Sequence, residues 1–202
     1  MAQLLIAYDT TEGQTRKIAQ YMGEVASRSG HEVKVIDIRR PPAGFSLVGV
    51  DAVLVGGSVH MGKHSRRLVV FVRRHLDGLK ALPAGFFSVS LSAAGSEKEK
   101  DDARRYLAEF LGQAGWSPAV TATFGGGGLL YREYGLLKRW IMKRIARDAG
   151  KETETSTNHE YTDWQAVDQF VRGFLAHLQQ PQAEGGPGSY EPAKTDPTSP
   201  TG

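Results

Sequence analysis

What most constrains this chain is the join near its start, where Leu4-Leu5-Ile6-Ala7-Tyr8 runs straight into Asp9-Thr10-Thr11-Glu12-Gly13-Gln14-Thr15. An apolar strand ends in a turn of hydroxyls and one glycine, and a helical pattern begins at once with Arg16, Ile18, Ala19 and Met22. The turn gathers backbone N–H groups and three threonine hydroxyls at the positive end of a helix, a setting that suits a phosphate group. It lacks the Gly-Lys-Ser/Thr of a Walker loop, and Gly13 stands alone where a dinucleotide fingerprint needs three glycines. A helix cap with no ligand uses the same residue types. The turn alone leaves both readings open.

Strand and helix patterns then alternate. Strands are expected at Leu4–Tyr8, Glu32–Ile38, Ala52–Gly56, Gly85–Leu91 and Ala119–Phe124. Helices are expected at Thr15–Ser29, Ser65–Leu76, Lys98–Gly112 and Asp163–Leu178, the last with Val167, Phe170, Val171, Phe174 and Leu175 inward. The run Ala52-Val53-Leu54-Val55 is continuously apolar, as a strand buried on both faces requires. This repetition predicts an α/β fold, a doubly wound five-stranded parallel sheet of order 2-1-3-4-5. Ligands of such sheets sit beyond the carboxyl ends of the strands, so the loops 9–15, 57–64 and 90–97 should matter. Residues 1–180 are read as one domain with an insertion at about 125–160. The Pro/Gly-rich stretch 181–202 cannot bury a core and is read as a disordered tail.

The chain has no cysteine, which excludes disulfides, thiolate catalysis and cysteine-ligated metal; no metal site is expected. No apolar run approaches the ~18 residues of a membrane span, and the start carries no secretory leader pattern. A net charge of +3 hides an asymmetry. Between positions 132 and 147, Arg132, Lys138, Arg139, Lys143, Arg144 and Arg147 oppose only Glu133. That segment is read as carrying the basic character of the chain, so its partner should be anionic. Leu130, Tyr134, Leu137, Ile141 and Ile145 follow helical spacing with Trp140 beside them. Such a helix can lie on an anionic bilayer, grip substrate carboxylates, or pack on its own sheet with a solvated basic face. No recognised nucleic-acid module is present.

Two more loops offer ligand contacts. In Gly56-Gly57-Ser58-Val59-His60-Met61-Gly62-Lys63-His64, the glycines at 57 and 62 would let backbone approach a flat ring, and Ser58 offers donors. His60 or Met61 would have to cover that ring; His60 is also a candidate for proton handling, or simply an exposed loop residue. In Ser88-Val89-Ser90-Leu91-Ser92-Ala93-Ala94-Gly95, small side chains at Ser90, Ser92, Ala93 and Ala94 beside Leu91 leave main-chain amides accessible. Gly125-Gly126-Gly127-Gly128 reads as a hinge-like run. Glu160-Tyr161-Thr162-Asp163-Trp164 supplies an N-cap for the last helix, at Thr162 or Asp163.

In register, Tyr8, Thr10, Gly13, Thr15 and Ala19 resemble the phosphate loop of flavodoxins, which hold flavin mononucleotide (FMN). With the Gly-Ser-Val-His-Met-Gly-Lys-His loop, the basic insertion and the Glu-Tyr-Thr-Asp-Trp run, residues 2–178 look like the flavodoxin-type, quinone-dependent protoporphyrinogen oxidases of bacteria. The resemblance implies a flavodoxin-like fold and FMN held by Thr10, Thr11, Glu12, Gly13, Gln14 and Thr15. Ser58, Val59, His60 and Met61 would flank the ring on one side, and residues 90–94 on the other. It implies oxidation of protoporphyrinogen IX in haem biosynthesis by hydride transfer to flavin N5, with electrons passed to menaquinone or ubiquinone. No obligate catalytic side chain follows from it. Arg132, Lys138, Arg139, Trp140, Lys143 and Arg144 would face substrate or membrane, placing the protein in the cytoplasm against the inner face of the bacterial membrane. Several members of that family carry more aromatic and basic residues where this chain has four glycines. An electron-carrier flavodoxin without porphyrinogen activity is the alternative, but a pI near 9.1 suits docking to basic redox partners poorly. A receiver domain would need paired carboxylates after the first strand and an acceptor aspartate where Gly57-Ser58 stands.

Overall fold

A computed structural model describes residues 1–126 and 161–179. The strands are β1 (Gln3–Asp9), β2 (Glu32–Asp37), β3 (Ala52–His60), β4 (Lys63–His64), β5 (Ala84–Ser90) and β6 (Val120–Gly125). Helices α1 (Gln14–Arg28), α2 (Arg66–Arg74), α3 (Leu76–Ala81), α4 (Glu97–Ala114) and α5 (Trp164–Gln179) connect and cover them. Strand order is β2-β1-β3-β5-β6, every pair parallel, which is the expected 2-1-3-4-5 arrangement once β4 is set aside.

Period-two alternation divides the core. Leu4, Ile6 and Leu54 point to one face, where Ile18 and Met22 of α1 and Val167, Val171 and Phe174 of α5 bury them. Leu5, Ala7, Val53 and Val55 point to the other, against Leu68 and Val72 of α2, Phe110 of α4 and Trp116. Both faces of the central strands are therefore dry, which is why Leu4–Ala7 of β1 and Ala52–Val55 of β3 read as unbroken apolar runs.

The second loop departs from expectation. Ser58, Val59 and His60 continue β3, and a two-residue turn at Met61-Gly62 returns the chain as β4, pairing His60 with Lys63 and Val59 with His64. Both turn residues have positive φ, 51° and 76°, as a primed hairpin turn demands. Nor do the glycines there make room for a ligand. A Cβ on Gly57 would overlap Leu68, and one on Gly62 would press on the Tyr106 ring at 3.2 Å. The expected helix over 65–76 also divides at His75 into α2 and α3.

Gly125 and Gly126 are corrected from hinge to packed wall. Gly125 ends β6; its Cβ would collide with the Tyr161 carbonyl and Ala94. Gly126 donates its N–H to the Ser90 carbonyl at 3.1 Å, and its Cβ would lie 2.6 Å from Val89 Cγ1 and 2.8 Å from Gln14 Cγ. Close approach, not conformational freedom, requires glycine at both positions. Gly127, Gly128, the rest of the insertion to residue 160 and the tail lie outside the described residues.

Candidate functional site

The carboxyl ends of β1, β3 and β5 meet at a small cleft. Thr10, Thr11, Glu12, Gln14 and Thr15 line it from the β1–α1 turn, and Ser58, Val59 and His60 line it from β3. Two further lining residues, Val89 and Gly126, were not expected. Val89 reads in sequence as ordinary strand core, and Gly126 as one of four equivalent glycines; only the packing singles them out.

Gly13 sits at φ +94° and opens α1 with no side chain to cap it, so the N–H groups of the first turn have no acceptor within the helix. Gly13 N–H instead closes the turn onto Thr10 Oγ1 at 2.9 Å, while Thr11 N–H reaches Ser58 Oγ at 3.3 Å. The first bond shapes the turn, and the second holds it against β3. Thr15 is fully buried, and its hydroxyl has no hydrogen-bond partner among the described residues. A buried, unpartnered hydroxyl beside the positive end of a helix is an acceptor-seeking site for an anion.

Other expected residues are committed elsewhere. Gln14 Nε2 donates to Thr162 Oγ1 at 2.8 Å, and Thr162 in turn donates to the Gly125 carbonyl at 2.8 Å. Thr162 thus ties the first helix to the last strand, while Asp163 Oδ1 accepts from Ala166 N–H at 3.0 Å and caps α5. Of the sequence's two candidates, Asp163 is the cap. Met61 stands 80% exposed at the hairpin tip and does not line the cleft, whereas His60 does. Ser90 is buried and its Oγ accepts from Ala93 N–H at 3.2 Å, winding Ser92–Ala94 into one turn of 3-10 helix beside half-exposed Leu91. Ala93 and Ala94 face a second groove on the far side of that turn. Arg132, Lys138, Arg139, Trp140, Lys143 and Arg144 lie outside the described residues.

Two polar clusters brace the cleft from below. Asp9 accepts from Ser65 Oγ and pairs with Arg67 at 3.7 Å, and Ser65 Oγ accepts from Leu68 N–H, so the end of β1 holds the start of α2. His64, missed in the sequence, fixes the hairpin. Its Nε2 meets Ser88 Oγ at 3.0 Å, and its ring packs on Phe110 and Phe86 with centroids 4.8 and 5.4 Å away. Burial pushes the imidazole down to about 4; the Tyr106 backbone opposes this only weakly, since Nδ1 makes no well-formed hydrogen bond. Burial first, and then Asp37, raise the Tyr8 phenol; a hydrogen bond from Arg39 holds Asp37 low.

Residues 5–156 match the flavodoxin domain family. Protoporphyrinogen IX dehydrogenase (quinone) of Leishmania major is 34% identical over 176 residues, 85% of this chain and 74% of that protein. Its namesake in Escherichia coli K12 is 33% identical over 174 residues, 86% of this chain and 94% of that protein. Among solved structures, oxidised flavodoxin 1 of Bacillus cereus superposes with TM-score 0.55 at 19% identity, covering 88% of this chain and all of that one. A flavodoxin from Archaea gives 0.50 at 15% identity, over 88% and 99% of the two chains. Similarity at that level shows the fold.

Proposed function

This chain belongs to the flavodoxin-domain family of protoporphyrinogen IX dehydrogenases (quinone), and on that premise we propose that it oxidises protoporphyrinogen IX to protoporphyrin IX and passes the electrons to a quinone. The cofactor is FMN. The observation that carries the reading is the cleft at the end of β1, whose donor set fits a phosphomonoester. Thr15 offers a buried hydroxyl with no partner among the described residues, and α1 starts with no side chain capping its positive end.

Thr10 and Gly13 hold the turn's shape, and Thr11, Glu12, Gln14 and Thr15 would surround the phosphate. Ser58, Val59 and His60 would form one wall beside the ring, with the 90–94 turn as the other. When bound, the flavin supplies the two-electron chemistry that no side chain here can perform. What the chain contributes is binding, orientation and exclusion of water. We assign to His60, which lines the cleft, the exchange of a proton with substrate.

We place the protein at a membrane surface through its basic segment 132–147, because the quinone acceptor is lipid-borne; among the described residues no helix is long and apolar enough to cross a membrane. Purified protein given protoporphyrinogen IX and a menaquinone analogue should produce porphyrin fluorescence at a rate that scales with bound FMN. A rate no greater than autoxidation would remove the enzyme assignment. Flotation with anionic liposomes, lost in high salt and absent with neutral ones, tests the membrane placement.

A further inference from the structure

A second depression adjoins the cleft, with Gly125 and Gly126 at the boundary among the described residues. Gly126 lines the cleft, whereas Gly125 lines a groove of about 490 Å³ between α4, the 92–94 turn, the end of β6 and the start of α5. Neither position tolerates a Cβ: the Tyr161 carbonyl and Ala94 crowd Gly125, and Val89 and Gln14 crowd Gly126. Lys100 and Arg104 stand on the groove one helical turn apart, hence on the same side of α4.

We infer that this groove is the carboxylate subsite for the substrate, with Lys100 and Arg104 as its specificity-determining cations; the inference rests on the function proposed above. Protoporphyrinogen carries propionate carboxylates on one edge of a broad, apolar macrocycle. Seating that edge on α4 brings the ring over the Ala93-Ala94 turn toward the cleft.

The charges are available. Lys100 pairs with Glu97 at 2.7 Å and Arg104 with Asp101 at 2.5 Å, but all four side chains are 41–80% exposed and each pair lies within its own helix. Pairs of that kind contribute little, so a carboxylate entering the groove exchanges partners at small cost. Asp163 is the acid lining the groove among the described residues, and one of its oxygens is engaged in capping α5. A guanidinium beside an ammonium then binds a pair of carboxylates by charge-assisted hydrogen bonds.

The test uses the FMN-loaded protein, protoporphyrin IX, its uncharged dimethyl ester, and the double variant Lys100→Gln/Arg104→Gln. Neither residue touches the β1–α1 turn, so retained flavin absorbance reports that the variant is folded. The wild type should bind the free acid about tenfold or more tightly than the ester, and the variant should lose that preference while binding the ester as before. In turnover, KM for protoporphyrinogen should rise by about tenfold with kcat within about twofold. Equal wild-type affinity for acid and ester, or an unchanged preference in the variant, overturns the subsite. A wild type that discriminates acid from ester yet turns nothing over upholds the subsite and removes the proposed enzyme function. Turnover with a KM insensitive to both substitutions does the reverse.

Discussion

Thr15 carries an asymmetry that single substitutions can expose. Its hydroxyl is buried without a partner among the described residues, which costs the flavin-free protein about 1–3 kcal/mol. Thr15→Val should therefore stabilise the flavin-free form by about 1 kcal/mol while weakening FMN binding by about 1–3 kcal/mol. Chemical denaturation of both forms, with a flavin titration, separates the effects; equal loss in both would mean that the hydroxyl serves only the fold. Gly126→Ala should cost about 1–3 kcal/mol of stability, because Val89 and Gln14 already occupy the space its methyl needs. An unchanged urea midpoint would show that the wall can yield.

His64 gives a pH signature. Its native pKa lies near 4, below the unfolded value of about 6.5, so the unfolded chain binds the extra proton first. Stability from the neutral imidazole is thus complete above pH 6.5 and is lost as pH falls toward 4, a decline on the order of 3 kcal/mol. His64→Phe, which keeps the contact with Phe86 and Phe110, should flatten the urea midpoint across that window relative to wild type. Parallel declines in both proteins would assign the slope to other groups.

At the scale of elements, the β3–β4 hairpin is the informative one. Met61 occupies the left-handed region at φ 51°, a conformation that costs a side-chain-bearing residue about 1 kcal/mol. Met61→Asn should raise the thermal midpoint, since Asn-Gly is the preferred pair for such a turn. Because His60 lines the cleft and Met61 does not, His60→Ala should weaken flavin binding more than Met61→Asn does. The reverse order would mean that the tip folds over the ring. The sequence suggested a strand ending at Gly56 and a loop over 57–64, with Gly57 and Gly62 as its glycines. Strand pairing on both sides of β3 and the intruding side chain of Leu68 make Gly57 a strand residue as well.

Across the whole molecule, basic charge is not confined to the segment at 132–147. Between 63 and 80, Lys63, Arg66, Arg67, Arg73, Arg74 and Lys80 face a single acid, Asp77, and α2 presents half-exposed Val70 in the row between Arg66 and Arg74. Liposome binding should then survive in part when the arginines and lysines of 132–147 are neutralised, and fall further when Arg66 and Arg74 are neutralised too. Complete loss from the first set alone would assign all attraction to the insertion. The strand order and the β1–α1 turn were legible in the sequence because each follows from contiguous residues: a buried strand is continuously apolar, and a helix start with no side-chain cap shows as a glycine. What only the tertiary structure decided are the pairings across long separations. Gln14 meets Thr162 across 148 positions, His64 meets Ser88, and Gly125 and Gly126 become the wall between cleft and groove. Such contacts depend on which backbones come close enough to exclude a side chain. A pattern of neighbours along one chain does not encode that distance.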